Sequence, residues 1–179
     1  MLIQQDNLTI RNATIDDASI LGSWWRDGRI MAHAGMPNGL SIKDEEIADK
    51  LSKETDETSR RFIIELNNNP IGEMSYHNKG NGVAEIGIKI CDFSKQENGY
   101  GTKLYKMLMN CLFNDLGYNT IITSTNTNNF RAQHVYENKI GFRKVGVAEN
   151  SWKDQLGQWQ SYINYEITKE EFKFTNSTV

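Results

Sequence analysis

Cysteine and proline are scarce in this chain of 179 residues: Cys91 and Cys111 are its two thiols, Pro37 and Pro70 its two prolines. Two thiols build no disulfide framework, and their spacing is not that of a metal site. With so little proline and no serine/glycine-rich tract, nothing marks a linker between domains. Basic excess is missing too. A net charge of −3 and a pI of about 5.7 exclude the surface of a nucleic-acid binder, whose pI runs above about 9. No apolar run approaches the ~18 residues of a membrane span. The opening Met1-Leu2-Ile3-Gln4-Gln5-Asp6 lacks the basic and apolar regions of a secretory signal. The expectation is one cytoplasmic domain over residues 1–179, with a core at about 8–167 and a tail at 168–179. Metal, nucleic acid and membrane are not expected among its partners.

What is present is an alternation of strand-like and helix-like segments. Residues 8–13 alternate apolar and polar, as a half-buried strand does. Thr14-Ile15-Asp16-Asp17 has capping-box spacing, and behind it Ala18, Leu21, Gly22 and Trp25 share a helical face. Residues 31–40 read as a loop, and Ser41-Ile42-Lys43-Asp44 as a second capping box opening a helix through Leu51. Residues 61–66, 71–77 and 83–90 read as strands of an antiparallel meander, joined by asparagine- and glycine-rich turns. A helix then runs from Tyr100 to Leu116, with Leu104, Met107, Leu108, Cys111 and Leu112 on one face and Gly117 ending it. A strand at 120–124 follows. Next comes a helix opened by Asn128-Asn129, with Ala132, Val135 and Tyr136 on one face, and then strands at 143–148 and 161–167. The predicted class is α+β, a mixed and mostly antiparallel sheet of about six or seven strands flanked by about four helices.

The segment richest in chemistry is Gln96-Glu97-Asn98-Gly99-Tyr100-Gly101-Thr102-Lys103. Two glycines one residue apart let backbone N–H groups converge, and the helix start adds unsatisfied donors and a positive dipole end. Together they suit a phosphate or diphosphate. It is not a P-loop, which needs Gly-x-x-x-x-Gly-Lys-Ser/Thr, nor a dinucleotide fingerprint, since position 104 is leucine. Alone, such a Gly-x-Gly also serves as a plain tight turn.

In its context, Gln-x-x-Gly-x-Gly between a strand and a long helix resembles the acyl-CoA-binding motif of the GNAT superfamily of N-acetyltransferases. The later run Asn129-Phe130-Arg131-Ala132-Gln133-His134-Val135-Tyr136-Glu137-Asn138-Lys139-Ile140-Gly141-Phe142 resembles that superfamily's second landmark. The resemblance covers residues 8 to about 167. After Gly141-Phe142 it is nearest in pattern to the branch acetylating protein N-termini, ribosomal proteins included. That branch often ends a Gly-x-x-x-Asp segment with aspartate, where this chain has Ser161. The run from Tyr136-Glu137 to Gly141-Phe142 is one residue longer than the commonest spacing. Glu97-Asn98 stand where many members carry a basic pair.

The resemblance implies roles. The backbones of Ile88 and Ile90 would pair with the pantetheine arm as an added strand. The N–H groups of Gln96 through Gly101, helped by Thr102, would cradle the diphosphate. Asn129 would bond the pantetheine amides, and Arg131 the outer phosphate. Tyr136 would give the departing thiolate its proton, its phenol near pKa 10 being close to an aliphatic thiol; the plain alternative is a core tyrosine. Glu85 is the first candidate for a base acting through water, with Glu73 its counterpart one strand away. Both also read as solvated strand residues. His33 is a candidate substrate contact or base, and Trp24 and Trp25 supply core or an acceptor-pocket wall.

The activity implied is acetyl transfer from acetyl-CoA to a primary amine, on a peptide N-terminus or a small cationic acceptor of polyamine or aminoglycoside type. The alternatives are a CoA-binding sensor or interaction module without turnover, and a structural domain without CoA affinity. The sequence leaves a homodimer open. Residues 1–60 hold 7 Lys+Arg against 11 Asp+Glu, while residues 61–179 hold 13 against 12. This acid excess in the half bordering the acceptor suggests a cationic amine; the plain alternative is a solvated helix face.

Overall fold

The structure, a computed structural model, describes residues 1–177, with side chains through Lys173. β1 (Leu2–Gln5) pairs antiparallel with β2 (Leu8–Asn12), the expected first strand, around a turn at Asp6 with φ of 54°. The Thr14–Asp17 box forms as predicted: the Thr14 N–H donates to the Asp17 carboxylate at 2.8 Å. Arg11 grips that carboxylate through two bonds of 2.8 Å, and a 3-10 turn leads into α1 (Ala18–Arg26). The expected loop at 31–40 is preceded by a short helix, α2 (Gly28–Met31), capped where the Asp27 side chain accepts from the Arg29 N–H. α3 (Asp44–Ser52) starts later than a Ser41 cap implies. Lys43 is its N-cap, and Glu46 accepts from the Lys43 N–H at 3.3 Å.

The meander follows as β3 (Ser59–Leu66), β4 (Asn69–Gly80) and β5 (Val83–Ile90), then α4 (Tyr100–Asn114) and β6 (Thr120–Asn126). α5 (Phe130–His134) runs into a π-helical turn at Val135–Ile140, and β7 (Arg143–Lys153), β8 (Trp159–Thr168) and α6 (Lys169–Ser177) complete the chain. The sheet has eight strands in the order β1-β2-β3-β4-β5-β6-β8-β7, with β5–β6 its parallel pair. β1 is thus a strand beyond the six or seven predicted. The stretch taken for a tail instead begins with α6, where Phe172 packs on Phe113 at 5.4 Å between ring centroids.

Two apolar clusters hold the sheet between them. On one face Leu104, Leu108 and Leu112 of α4 lie fully buried against Phe62, Met74 and Ile86. Each such side chain contributes about 1.5–3 kcal/mol by leaving water. α4 is buried on a second stripe as well, Tyr105, Met109 and Phe113, spaced by four residues. On the opposite face Leu21, Trp25, Ile47 and Leu51 of α1 and α3 cover Ile63 of β3. Cys91 and Cys111 are buried as small core residues, and burial pushes the Cys91 thiol up to about 12. Among the described residues no helix is long and apolar enough to cross a membrane, and no cluster of metal-ligating residues occurs.

Candidate active site

β5 and β6 pair over three residues, Val83 with Thr120 through Glu85 with Ile122, and then part. Beyond that point each keeps its outer partner, β4 or β8, while the two inner edges diverge. The wedge between them opens into a cleft of about 1170 Å³. At its apex the Thr123 hydroxyl donates to the Ile86 carbonyl at 3.0 Å. At its mouth the Gln96 side-chain amide donates to the Ile90 carbonyl at 2.9 Å. Backbone direction alternates along a strand. Ile88, between these two, therefore turns its own N–H and C=O into the cleft, and Ile90 its N–H.

The mouth is the glycine loop. Glu97 and Gly99 have φ of 63° and 77°, and Gly99 is the N-cap of α4, with no side chain capping that end. Gly101 has no left-handed φ, and no heavy atom lies within 4 Å of where its Cβ would stand. Neither packing nor conformation asks for glycine at 101; its absent side chain leaves the first turn of α4 open to the cleft. An anionic group reaching those N–H donors fits this geometry. Arg131 stands beside the loop, donating to Gln96 Oε1 at 3.1 Å and lying 3.6 Å from the Glu97 carboxylate. Asn129 caps α5 through its carbonyl oxygen, accepting from the Ala132 N–H at 3.2 Å, and lines the cleft. Ile88, Ile90, Gln96, Glu97, Gly99, Tyr100, Gly101 and Thr102 line it as well, whereas Asn98 turns back to the loop carbonyls of Gln96 and Ser94.

Tyr136 reaches the inner end, 6% exposed. The residue added before Gly141-Phe142 is absorbed by the π-helical turn. There the Tyr136 carbonyl accepts from the N–H groups of Gly141, at 3.0 Å, and Phe142, at 2.9 Å. Widening the helix by one residue keeps Tyr136 on the cleft and still returns the chain through Gly141, whose φ is 95°. The Tyr136 ring sits among Tyr105, Phe142 and Tyr165 at 5.3–5.8 Å between centroids. Burial pushes its phenol up, and the Tyr105 and Thr123 hydroxyls pull it partly back.

The carboxylates expected to act as base are elsewhere. Glu85 is outside the cleft lining, half-buried, and paired with Lys79 at 3.1 Å, because its position in β5 precedes the parting of the strands. Glu73, 2% exposed, lies on the α1–α3 face. Its carboxylate contacts Arg61, takes Lys89 at 3.1 Å and accepts from the Trp25 indole N–H at 2.9 Å. Burial alone would raise this carboxyl, but Arg61, Lys89 and the indole hold it below its ordinary value. A carboxylate so held is a poor proton acceptor. Trp25 belongs to the same buried group, with the Arg61 guanidinium 4.7 Å above its ring, so it is core and not pocket wall. His33 does line the cleft, on the side of α2 with Arg29 and Phe93.

No acid of residues 1–60 lines the cleft, and Asp17, Asp27, Asp44 and Asp49 pair with Arg11, Arg29, Arg26 and Lys53 of the same segment, so the acid excess of that segment lies outside the acceptor end. Among the described residues Glu97 is the one carboxylate lining the cleft, at the loop end. Sequence reasoning missed Tyr105, Thr123 and Trp152, all on the cleft wall. The signal for Tyr105 was the run Tyr105, Met109 and Phe113 at steps of four; Trp152 carried none. Trp152 presses on Gly35, where a Cβ would stand 1.9 Å from the indole. Next to it Gln155 bonds Gly35, Asn38 and Gly39 at 2.8–2.9 Å, so the β7–β8 hairpin is clamped to the loop after α2.

Residues 7–143 match the family model described as acetyltransferase (GNAT) domain. Over 158 residues the chain is 29% identical to aminoglycoside N(6')-acetyltransferase type 1 of Klebsiella pneumoniae and of Serratia marcescens, covering 79% of this chain and 77% of each relative. Spermidine N-acetyltransferase from Vibrio cholerae, solved in complex with CoA and spermine, has the same fold. Its TM-score is 0.83 at 22% identity, over 94% of this chain and 99% of that one. Ribosomal-protein-S5-alanine acetyltransferase from Vibrio fischeri gives 0.82 at 16% identity, over 96% and 98%.

Proposed function

The chain belongs to the acetyltransferase (GNAT) family and is an acetyl-CoA-dependent N-acetyltransferase, and from that premise we propose that its acceptor is the α-amine of a peptide N-terminus. The open edge of β5, leading to the uncapped start of α4, is the observation that carries the acetyl-CoA site, and the lining of the acceptor end carries the choice of acceptor. Ile88 and Ile90 receive the pantetheine arm as a strand would. The N–H groups of Gly99 through Thr102, with Arg131, hold the diphosphate. Asn129, whose carbonyl oxygen caps α5, offers its NH2 to a pantetheine carbonyl.

Acetyl-CoA, when bound, supplies the acetyl group on a thioester that a neutral amine can open. As the new N–C bond forms and the C–S bond breaks, Tyr136 moves its phenolic proton to the sulfur. The proton lost by nitrogen goes to water, and Tyr136 is restored from solvent through the cleft. Glu85 and Glu73 do not reach this point, so the amine loses its proton to water before attack, with His33 as a contact on the acceptor side.

What favours a peptide over a polycation is the lining of the acceptor end. Arg29, His33, Phe93 and Trp152 are there, without a carboxylate to hold a second or third ammonium. The second reading, a small cationic amine, is favoured by the two aminoglycoside-acetylating relatives. Free-thiol release from acetyl-CoA over a panel of N-terminal peptides, polyamines and aminoglycosides decides between them. The peptide reading expects release with peptides at least tenfold faster than with spermidine. Release with polyamines or aminoglycosides alone overturns it. The CoA site is tested by Gly101→Ala: the added methyl should weaken CoA binding about tenfold, while the ligand-free protein melts no lower, since Ala suits a helix better than Gly.

A further inference from the structure

The Tyr136 hydroxyl lies 2.8 Å from the Tyr105 hydroxyl, which lies 3.3 Å from Thr123 Oγ1. Proton directions in this row follow from counting. Thr123 spends its one proton on the Ile86 carbonyl, which the parting of β5 and β6 leaves without a strand partner. Thr123 can then only accept, so Tyr105 must donate to it. Tyr105 has no second proton, so Tyr136 must donate to Tyr105. At rest, therefore, the Tyr136 proton points away from the cleft and its lone pairs point in. An acid poised on the thiol needs the opposite arrangement.

We propose that Tyr105 is a positioning residue for the reaction. Its hydroxyl turns from Thr123 to Tyr136 when Tyr136 aims its proton at the sulfur, and it stays as the donor that holds the oxygen Tyr136 leaves charged. The proposal rests on Tyr136 being the acid. Its cost is the longer of the two bonds, 3.3 Å against 2.8 Å, and no heavy atom moves. The setting suits it: Tyr105 is 1% exposed, so no water competes for the bond, and its ring meets those of Tyr136 and Phe142 edge-on. A hydrogen bond to the charged form lowers a phenol's pKa. That works against the rise burial imposes on Tyr136. The other titratable groups close by are Tyr165 of β8, which donates to Glu137 at 2.8 Å, and His134, whose Nδ1 pairs with Asn138.

Tyr105→Phe, compared with Tyr136→Phe and the double variant, tests this in the whole chain. Tyr136→Phe should lower kcat about a hundredfold, the scale of losing a general acid. Tyr105→Phe should lower kcat about tenfold, with KM for acetyl-CoA and for the amine within twofold. The double variant should be no worse than Tyr136→Phe. Independently of turnover, carbon NMR of ligand-free protein labelled at tyrosine Cζ should show the Tyr136 line, identified by its loss in Tyr136→Phe, displaced in Tyr105→Phe. An unchanged kcat and an unmoved Cζ line overturn the proposal while leaving Tyr136 as the acid. A double variant tenfold below Tyr136→Phe also overturns it, since Tyr105 would then act without Tyr136. Full activity in Tyr136→Phe overturns both the acid and its positioning residue.

Discussion

The two faces of the sheet each bury a polar group, and they do it by different means. On the α4 face the buried polar atoms are neutral hydroxyls, Tyr105, Thr123 and Tyr136, at the apex of an open cleft. On the α1–α3 face the buried group is a charge, Glu73 beneath Trp25, held by the half-buried Arg61 and Lys89. Hydroxyls donate or accept by turning one bond, so a row of them can move a proton's direction cheaply. Buried charges are fixed by their partners, and losing one leaves the others uncompensated. The first arrangement suits a group that must act; the second holds the sheet and Trp25 in one geometry. Residue type alone would have placed the chemistry on Glu73 as readily as on Tyr136.

The largest break in this comparison is Glu73→Gln. It takes the counter-charge from the half-buried Arg61 and Lys89 and should cost about 1.5–3 kcal/mol in denaturant unfolding, with CoA affinity of the folded protein within twofold. A loss of CoA binding larger than the loss of stability would put Glu73 in the site after all. Next is Thr123→Val, which leaves the Ile86 carbonyl without its donor where the strands part. About 1–3 kcal/mol is expected, read by the same unfolding.

The two faces should also fail at opposite ends of the pH scale. Glu73 has a folded pKa held below its ordinary value, so its contribution is present above about pH 4.3 and is lost as pH falls through the lower folded value. Burial pushes the Tyr105 and Tyr136 phenols up, so their contribution is whole below about pH 10 and is lost as pH rises through the folded values. Melting temperature against pH should therefore fall less steeply on its acid limb in Glu73→Gln and less steeply on its alkaline limb in Tyr105→Phe, the remaining slope belonging to groups shifted the same way such as Asp17 and Tyr136. Both variants flattening the same limb would erase the distinction. The smallest effect is expected of Glu85→Gln: less than about 0.5 kcal/mol, as for a surface ion pair, and kcat within twofold. A tenfold drop in kcat would return Glu85 to the reaction as a base reaching through water.

Much of the cleft was legible before any coordinates. Gln96 to Thr102 read as a phosphate cradle because glycine spacing and a helix start are local properties. Ile88 and Ile90 entered only through the family resemblance, which implies a pantetheine-pairing strand at that point. Tyr105 was passed over because the apolar face at 104, 107, 108, 111 and 112 already accounts for one buried side of a helix. The stripe 105, 109 and 113 gained its meaning only when α4 was found covered on a second side as well. Glu85 and Glu73 were misjudged for a related reason: a strand's sequence shows that side chains alternate, not which partner each face meets.

By itself the sequence determined the order of strands and helices from β2 to β8, α2 apart, the anion-binding start of α4 and the tyrosine of the second landmark, since each depends on residues near one another in the chain. Tertiary structure decided the rest. Where β5 and β6 part depends on strands some 35 residues apart in sequence meeting for three pairs and no more. Whether a carboxylate is free depends on cations from other strands. The direction in which Tyr136 holds its proton follows from a count over four elements, β5, β6, α4 and the π-helical turn. No local pattern carries that count.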